Sequence, residues 1–373
     1  MTGSTASHIA WVESLSPWPE EFGLERMQRL LAELGDPQEA FPAIHVVGTN
    51  GKTTTTRMCA ALLAADSKRV GAYTSPHVVG WAERIQVNGD PVDLEASIGR
   101  VRPAAEAVGA TQFEALTAAA LAEFRAAGVD AAVVEAGLGG RLDATNMLDA
   151  PVVVLTNVDL EHTDVLGETR EEIAREKLAV IRPGATAVLG EPEWEELARE
   201  SGAAAVLVTG RSNLALAVAA TESFLGKQVD PAPAVEATVP GRLERVGHAP
   251  LEIWDGAHNL GGVGYVLARL PSRRYVVVAS ILADKDVDGM LAALSVLGDM
   301  FVATQSANSR ALAAGDLAAK AGRFFDRVET VADPAEAVEQ ARALAGANGA
   351  VLVTGSLYLL ADLATVRPQA PVP

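Results

Sequence analysis

Ile44-His45-Val46-Val47-Gly48-Thr49-Asn50-Gly51-Lys52-Thr53-Thr54 is the stretch that decides the fold. A short β-branched run reads as a buried strand, two glycines make a turn, and a helix begins at Lys52. That geometry aims backbone N–H groups and a helix N-terminus at one point, which suits a polyphosphate. Gly48 and Gly51 permit close backbone approach, Lys52 reaches the β/γ oxygens, and Thr53 or Thr54 meets a metal or a phosphate oxygen. Thr49 and Asn50 complete the loop. The spacing departs from G-x-x-x-x-G-K-S/T because Val46 stands at its first glycine. The loop says nucleotide without choosing among kinase, ATPase and ligase.

Outward from this loop, apolar runs alternate with helix-length segments. Val70–Thr74, Ala131–Glu135, Val152–Asn157 and Thr186–Leu189 read as further buried strands. Asp93–Ala107, Phe113–Ala127, Thr169–Ile181 and Asn213–Phe224 read as helices. Such alternation implies a mostly parallel α/β sheet. Residues 226–240 hold Pro231, Pro233 and Pro240 without a period and read as a linker. A second series follows, with strands Leu251–Trp254, Tyr275–Ala279, Met300–Thr304 and Ala350–Thr354 and a helix at Ala335–Ala345. The expected division is therefore 1–234, a P-loop ATPase domain that also carries the substrate site, and 235–373, a smaller Rossmann-like α/β domain. Domain closure on ATP would hinge at 226–240.

Composition bounds the rest. The chain has 373 residues, 30 Lys+Arg against 48 Asp+Glu, a formal charge of −18 and 49% hydrophobic residues. That length holds about two domains at roughly 100–200 residues each. The acidic excess argues against a nucleic-acid or anionic-membrane surface. A single cysteine, Cys59, excludes a disulfide framework and fits a reducing cytosol. No run of 18 apolar residues is long enough to span a membrane, and no secretory signal is evident at the N-terminus.

One lysine is out of pattern. In the helix Thr169–Ile181, Lys177 falls between Ile173 and Ile181 at four-residue spacing and interrupts an apolar stripe. Burial of an ammonium favours the neutral amine, and a neutral amine can react with carbon dioxide. Glu135 closes one expected parallel strand and His162 lies just past the end of another. In doubly wound sheets that edge binds ligands.

Several motifs in order resemble the folylpolyglutamate synthase/dihydrofolate synthase family within the Mur ligase superfamily. They are Phe22–Met27, Leu34–Gln38, Gly48–Thr54, Tyr73–His77, Glu83–Gly89, Val133–Asn146, Leu160–Lys177, Pro240–Glu244, Asp255–Asn259, Ala283–Asp286 and Gly355–Leu359. The resemblance implies an ATP-dependent amide ligase that activates a carboxylate as an acyl phosphate, which the amine of L-glutamate then attacks. The acceptor would be dihydropteroate, a reduced folate, or both. It also implies two magnesium ions, ATP as co-substrate, metal ligands Ser75, Glu135, His162 and Lys177, and a carbamylated Lys177. Lys52, His162 and Lys177 would carry the catalysis. Arg242 would contact phosphate, Asp255 the ribose with His258 beside it, and Asn213 the adenine. Phe22, Gly23, Thr111, Gln112, Phe113, Glu114, Leu142, Asp143 and Ala144 would face the pterin-bearing acid. An aromatic such as Phe22 or Phe113 can stack on a pterin ring. The resemblance further suggests a cytosolic monomer.

The chain departs from the family in three places. Val206-Leu207-Val208 passes almost directly to Gly210-Arg211-Ser212-Asn213, where members have more strands and a Gly-x-x-Gln-x-x-Asn run, so a trimmed sheet is expected. Thr53 replaces a common Gly, and Ser309 a common Pro. Two other readings stand beside the main one: a Mur-type ligase for a different acid, and a non-catalytic nucleotide-binding paralogue.

Overall fold

The structure is a computed structural model that describes residues 7–365. It divides into two compact units, residues 7–77 with 81–237 and residues 78–80 with 238–365. Among the described residues no helix is long and apolar enough to cross a membrane.

The first unit is built on an eight-stranded sheet. Its strands are β1 (Ala43–Val47), β2 (Val70–Tyr73), β3 (Ile85–Val87), β4 (Asp90–Pro91), β5 (Ala131–Glu135), β6 (Val152–Leu155), β7 (Thr186–Leu189) and β8 (Ala205–Val208). Their order is β4-β3-β2-β5-β1-β6-β7-β8, parallel except for β3 and β4. Five of the eight are short apolar runs because both faces are covered. Ile44 and Val46 of β1 pack with Cys59, Leu62 and Leu63 of the helix Lys52–Ala65 and with Leu216 and Ala217 of the helix Asn213–Leu225. Ala43 and Val47 face the opposite core, which holds Leu116 and Phe124 of the helix Gln112–Ala127. The register sets Val46 beside both Glu135 and Val154, so β1, β5 and β6 end together and their following loops share one sheet edge.

The second unit has six strands, β9 (Glu244–His248), β10 (Leu251–Trp254), β11 (Tyr275–Ala279), β12 (Met300–Ala303), β13 (Arg327–Thr330) and β14 (Ala350–Thr354). Their order is β13-β12-β11-β14-β10-β9, parallel except for β9. Its two cores lie on either face, around Val277 and Phe301 on one side and Val278 and Leu360 on the other.

Several boundaries differ from the sequence reading. β6 stops at Leu155 rather than Asn157, because Thr156 and Asn157 turn their polar groups to the Gly48–Gly51 loop. β2 stops at Tyr73 and β12 at Ala303. The helix carrying Lys177 is Arg170–Leu178, shorter than the expected Thr169–Ile181. Thr169 is its N-cap in a capping box with Glu172, and Pro183 cannot continue a helix. The stretch read as a plain linker contains the helix Ala232–Glu236, with Ala234 buried against the Lys52–Ala65 core. Prolines fit its first turn, where the missing N–H has no helical partner in any case. Sequence reading also missed the antiparallel strands β3, β4 and β9 and the edge strands β8 and β13. The first sheet ends at β8, whose Leu207 and Val208 are exposed.

Candidate active site

The loop after β1 is fixed from both ends. Gly48 has φ 146°, and a Cβ there would overlap the Thr156 hydroxyl and lie 3.1 Å from the Thr156 nitrogen. Gly51 has φ 82° and caps the helix Lys52–Ala65. The first intrahelical bond runs from Thr55 N to Gly51 O, so the N–H groups of Lys52, Thr53 and Thr54 point out of the helix without an intrahelical acceptor. Three donors and a helix dipole thus converge ahead of Gly51. Lys52 Nζ donates to Gly48 O at 3.1 Å and to Thr49 O at 3.3 Å, so the ammonium lies over the same loop.

Of the expected metal ligands, Ser75 meets Glu135 directly, with Thr53 of the phosphate-loop helix on the other carboxylate oxygen. This carboxylate is only 1% exposed. Its Oε1 accepts from Thr53 Oγ1 at 3.0 Å and its Oε2 from Ser75 N at 3.1 Å. One buried carboxylate thereby joins the ends of β2 and β5 to the first turn of the phosphate-loop helix. Hydroxyl and carboxylate oxygens are hard donors and fit magnesium. Among the described residues no three His, Cys, Asp or Glu side chains cluster as a metal site. That donor set matches an ion that takes one or two protein carboxylates and draws its remaining ligands from phosphate and water. His162 is exposed, with φ 54°, at the start of the short helix Thr163–Leu166.

Lys177 is buried, as its place in the stripe implied, although Ile181 lies beyond the helix end. Its Nζ donates to Gly48 O at 3.0 Å. Burial first, and the Lys52 charge second, lower its pKa to about 7, against opposing contributions from Glu161, Asp143 and Glu176. The approach of this helix depends on Gly140, where a Cβ would lie 2.6 Å from Lys177 O and 2.8 Å from Glu176 O. Arg141 N donates to Glu176 O at 2.9 Å and locks the same junction.

The residues expected to face the acid substrate divide into buried or half-buried ones, most of them hydrogen-bonded or packed, and the exposed Phe22. Glu114 Oε2 accepts from Thr111 N and Thr111 Oγ1, both at 2.8 Å, and from Arg26 Nε at 2.7 Å. It is a helix-capping carboxylate that also ties down the helix Glu25–Glu33. Gln112 Nε2 donates to Val12 O at 3.0 Å. Asp143 accepts from Gly137 N, Leu138 N and Thr145 N at 2.9–3.0 Å, and from the Thr145 hydroxyl. Burial nonetheless raises its pKa. The Thr145 hydroxyl also lies 2.8 Å from His45 Nε2 on β1, and burial, aided by the Arg182 charge, holds His45 down at about 3. Leu142 is half-buried and Ala144 buried in this loop. Phe113 packs its ring 6.1 Å from that of Tyr73 and against Gly137. Phe22 is exposed, its ring 6.3 Å from that of Trp18, and Gly23 follows it.

Asn213 meets the phosphate loop directly: a Cβ on Gly51 would lie 2.5 Å from Asn213 Oδ1. Ser212, not Asn213, is the helix cap, its hydroxyl accepting from Ala215 N at 3.3 Å, which releases the Asn213 carboxamide from that task. In the second unit Arg242, Asp255 and His258 come together. Asp255 accepts from Leu243 N and Ala257 N, both at 2.8 Å, and burial raises its pKa while Arg242 and His258 oppose the rise. His258 Nδ1 lies 2.8 Å from Gly256 O.

Sequence reasoning missed the residues that hold the loop tip. Asn157 Oδ1 accepts from Asn50 N at 3.0 Å, and its Nδ2 donates to Asn50 O at 3.1 Å. Asp159 Oδ2 accepts from Asn50 Nδ2 at 3.1 Å, and Asp159 N donates to Thr49 Oγ1 at 3.1 Å. Polar residues directly past a buried parallel strand were the available signal.

Residues 46–228 match the family model described as the Mur ligase middle domain, and residues 241–357 that of the Mur ligase, glutamate ligase domain. A dihydrofolate synthase/folylpolyglutamate synthase of Mycobacterium tuberculosis is 37% identical over 415 residues, covering 88% of this chain and 84% of that protein. The structure of E. coli FolC in complex with DHPP and ADP superposes with a TM-score of 0.87 at 32% identity, covering 97% of this chain and 98% of that one. A bifunctional folylpolyglutamate synthase/dihydrofolate synthase with Mn, AMPPNP and L-glutamate bound gives a TM-score of 0.85 at 31% identity, again covering 97% and 98%.

Proposed function

The chain belongs to the folylpolyglutamate synthase/dihydrofolate synthase family of Mur ligases, and we propose that it forms an amide between L-glutamate and a pterin-bearing carboxylic acid, dihydropteroate or a reduced folate, at the expense of ATP. The observation that carries this reading is the Glu135 junction. A buried carboxylate ties the phosphate-loop helix to the end of β2, beside two lysines on one loop carbonyl.

Phosphoryl transfer to a carboxylate brings two anions together, so positioning and charge neutralisation are the protein's main tasks. The N–H groups at the start of the Lys52–Ala65 helix and the Lys52 ammonium hold the polyphosphate. Thr53, Ser75, Glu135 and His162 would hold magnesium, which supplies charge neutralisation and Lewis-acid polarisation of the phosphoryl oxygens. A carboxylate oxygen of the acid attacks the γ-phosphorus and ADP leaves. The glutamate amine then attacks the acyl carbon, loses a proton, and phosphate departs. Asn213 would lie along the nucleotide, and Arg242, Asp255 and His258 would contact phosphate and ribose. The loop around Leu142, Asp143 and Ala144 and the wall of Thr111, Gln112, Phe113 and Glu114 would receive the acid together with Phe22 and Gly23.

A pKa near 7 keeps a share of Lys177 as neutral amine, able to add carbon dioxide, lose a proton and become a carbamate. The carbamate would hold a second ion. Purified protein with ATP, magnesium and labelled glutamate, tested in parallel with dihydropteroate and tetrahydrofolate, decides the reading. Phosphate release that requires both acid and glutamate is expected. Phosphate release indifferent to every pterin acid would sink it. Lys177→Ala is expected to lose activity and regain part of it with small added carboxylates; a fully active Lys177→Ala excludes the carbamate.

A further inference from the structure

The turn between β8 and the Asn213 helix delivers one more side chain to the phosphate loop. Arg211 Nε donates to Glu191 Oε1 at 2.9 Å, and its Nη2 contacts the same oxygen. The same Nη2 lies 3.6 Å from Asp159 Oδ1, while the other oxygen of Asp159 accepts from Asn50 Nδ2. Glu191 is itself fixed: it is 6% exposed and accepts from Val158 N at 2.8 Å, Trp194 Nε1 at 2.9 Å and Arg170 Nη2 at 2.7 Å. Arg170 Nε also donates to Val158 O at 2.8 Å. Val158 is therefore clamped at both its N–H and its C=O, and Asp159 is presented from a rigid point.

Asp159 poses an electrostatic problem. It is an acceptor that orients Asn50 and a donor, through its backbone, to Thr49. It is also an anion hydrogen-bonded to the loop that must receive a polyphosphate, where like charges oppose binding. A guanidinium held on its far oxygen offsets that charge without occupying the hydrogen bond to Asn50. Glu191 fixes the fork of Arg211 so that this offset persists.

We infer that Arg211 is a positioning residue for the nucleotide site, holding and neutralising Asp159 so that Asp159 can orient Asn50 without repelling the polyphosphate. The inference rests on the ATP-dependent reading above. It explains how the abbreviated connection through Gly210-Arg211-Ser212-Asn213 still serves that site. The test is steady-state kinetics on the full chain with all three substrates varied. Arg211→Met is expected to raise the KM for ATP about tenfold, with the KM values for acid and glutamate within about twofold of wild type. Raised ionic strength should narrow that gap. Adding Asp159→Asn to Arg211→Met removes the bare anion and should bring the ATP KM back to within about threefold of wild type. A purely structural role would make the double variant worse than either single one. Arg211→Gln, which retains hydrogen bonding to Glu191, serves if Arg211→Met melts near the assay temperature. An unchanged ATP KM in the single variants, or no recovery in the double, overturns the inference. A wild-type protein that fails to use ATP overturns the earlier reading instead.

Discussion

Lys52 and Lys177 share one acceptor: their ammonium groups reach the carbonyl oxygen of Gly48 at 3.1 and 3.0 Å, although the two residues come from different helices. Two cations on one oxygen repel each other, and the buried one yields. Burial and then the Lys52 charge lower Lys177 to about 7, while Lys52 stays at the mouth of the loop.

The first prediction follows from the sign of that shift. An unfolded Lys177 keeps its proton up to its ordinary value of 10.5, whereas the folded one releases it near 7. Between those values the unfolded chain binds more protons, so stability rises with pH across that window and is lost as pH falls through it. In protein without nucleotide or metal, Lys177→Met should remove this dependence, on the order of a few kcal/mol over the window. Denaturant unfolding at a series of pH values for both proteins measures it. Parallel curves would show that the lysine is not buried as described.

Glu135→Gln keeps the size of the side chain and removes its charge. Because Glu135 joins Thr53 and Ser75, the variant should fold with a melting temperature close to wild type and lose about 100-fold or more in kcat. Magnesium titration should show a weaker dependence. Phosphate-release assays and thermal unfolding together separate lost chemistry from lost structure.

Gly48→Ala places a Cβ on a backbone with φ 146°, against the Thr156 side chain and within 3.1 Å of the Thr156 nitrogen. The side-chain overlap is relieved by Thr156→Ala; the backbone approach is not. Nucleotide affinity, measured by calorimetry, should fall at least tenfold in Gly48→Ala and recover only partly in the double variant. Full recovery would mean that the side-chain overlap alone matters.

Glu114→Gln weakens a capping box and a part-buried ion pair with Arg26 at once. Such losses cost about 1–3 kcal/mol. Urea unfolding should show that loss. Because the proposed function places the pterin acid against Thr111, Gln112, Phe113 and Glu114, the KM for the pterin acid should rise several-fold while that for ATP holds. A raised ATP KM would place this carboxylate elsewhere in the mechanism.

The sheet centres were legible in the sequence because strands buried on both faces leave unbroken apolar runs, as in Ala131–Glu135 and Tyr275–Ala279. The edge strands were not. Glu244–His248 and Arg327–Thr330 carry charges on exposed positions, and their strand character comes only from a neighbour to pair with. Nor was the passage of residues 78–80 into the second unit. The phosphate loop, Glu135 and the burial of Lys177 showed as motif and period. Asp143 and Glu114 showed only as polar residues in a marked stretch; that backbone N–H groups and Thr145 claim one, and Thr111 and Arg26 the other, depends on how the loops close. Asp159, Glu191 and Arg211 lie far apart in the chain, and no local pattern links an acid on one strand end with a guanidinium two strands away.

The contact between His45 and Thr145 fixes where a proton sits. The Thr145 hydroxyl is spent as a donor on Asp143, so its oxygen can only accept from His45, whose proton must then reside on Nε2. The ring nitrogen opposite, Nδ1, is buried and makes no hydrogen bond. A second proton there would be an unpaired buried charge, in keeping with a pKa of about 3. The His45 ring therefore stays neutral, its proton on Nε2, through the whole interval in which Lys177 changes charge. The β1 histidine is silent to pH where the lysine responds to it.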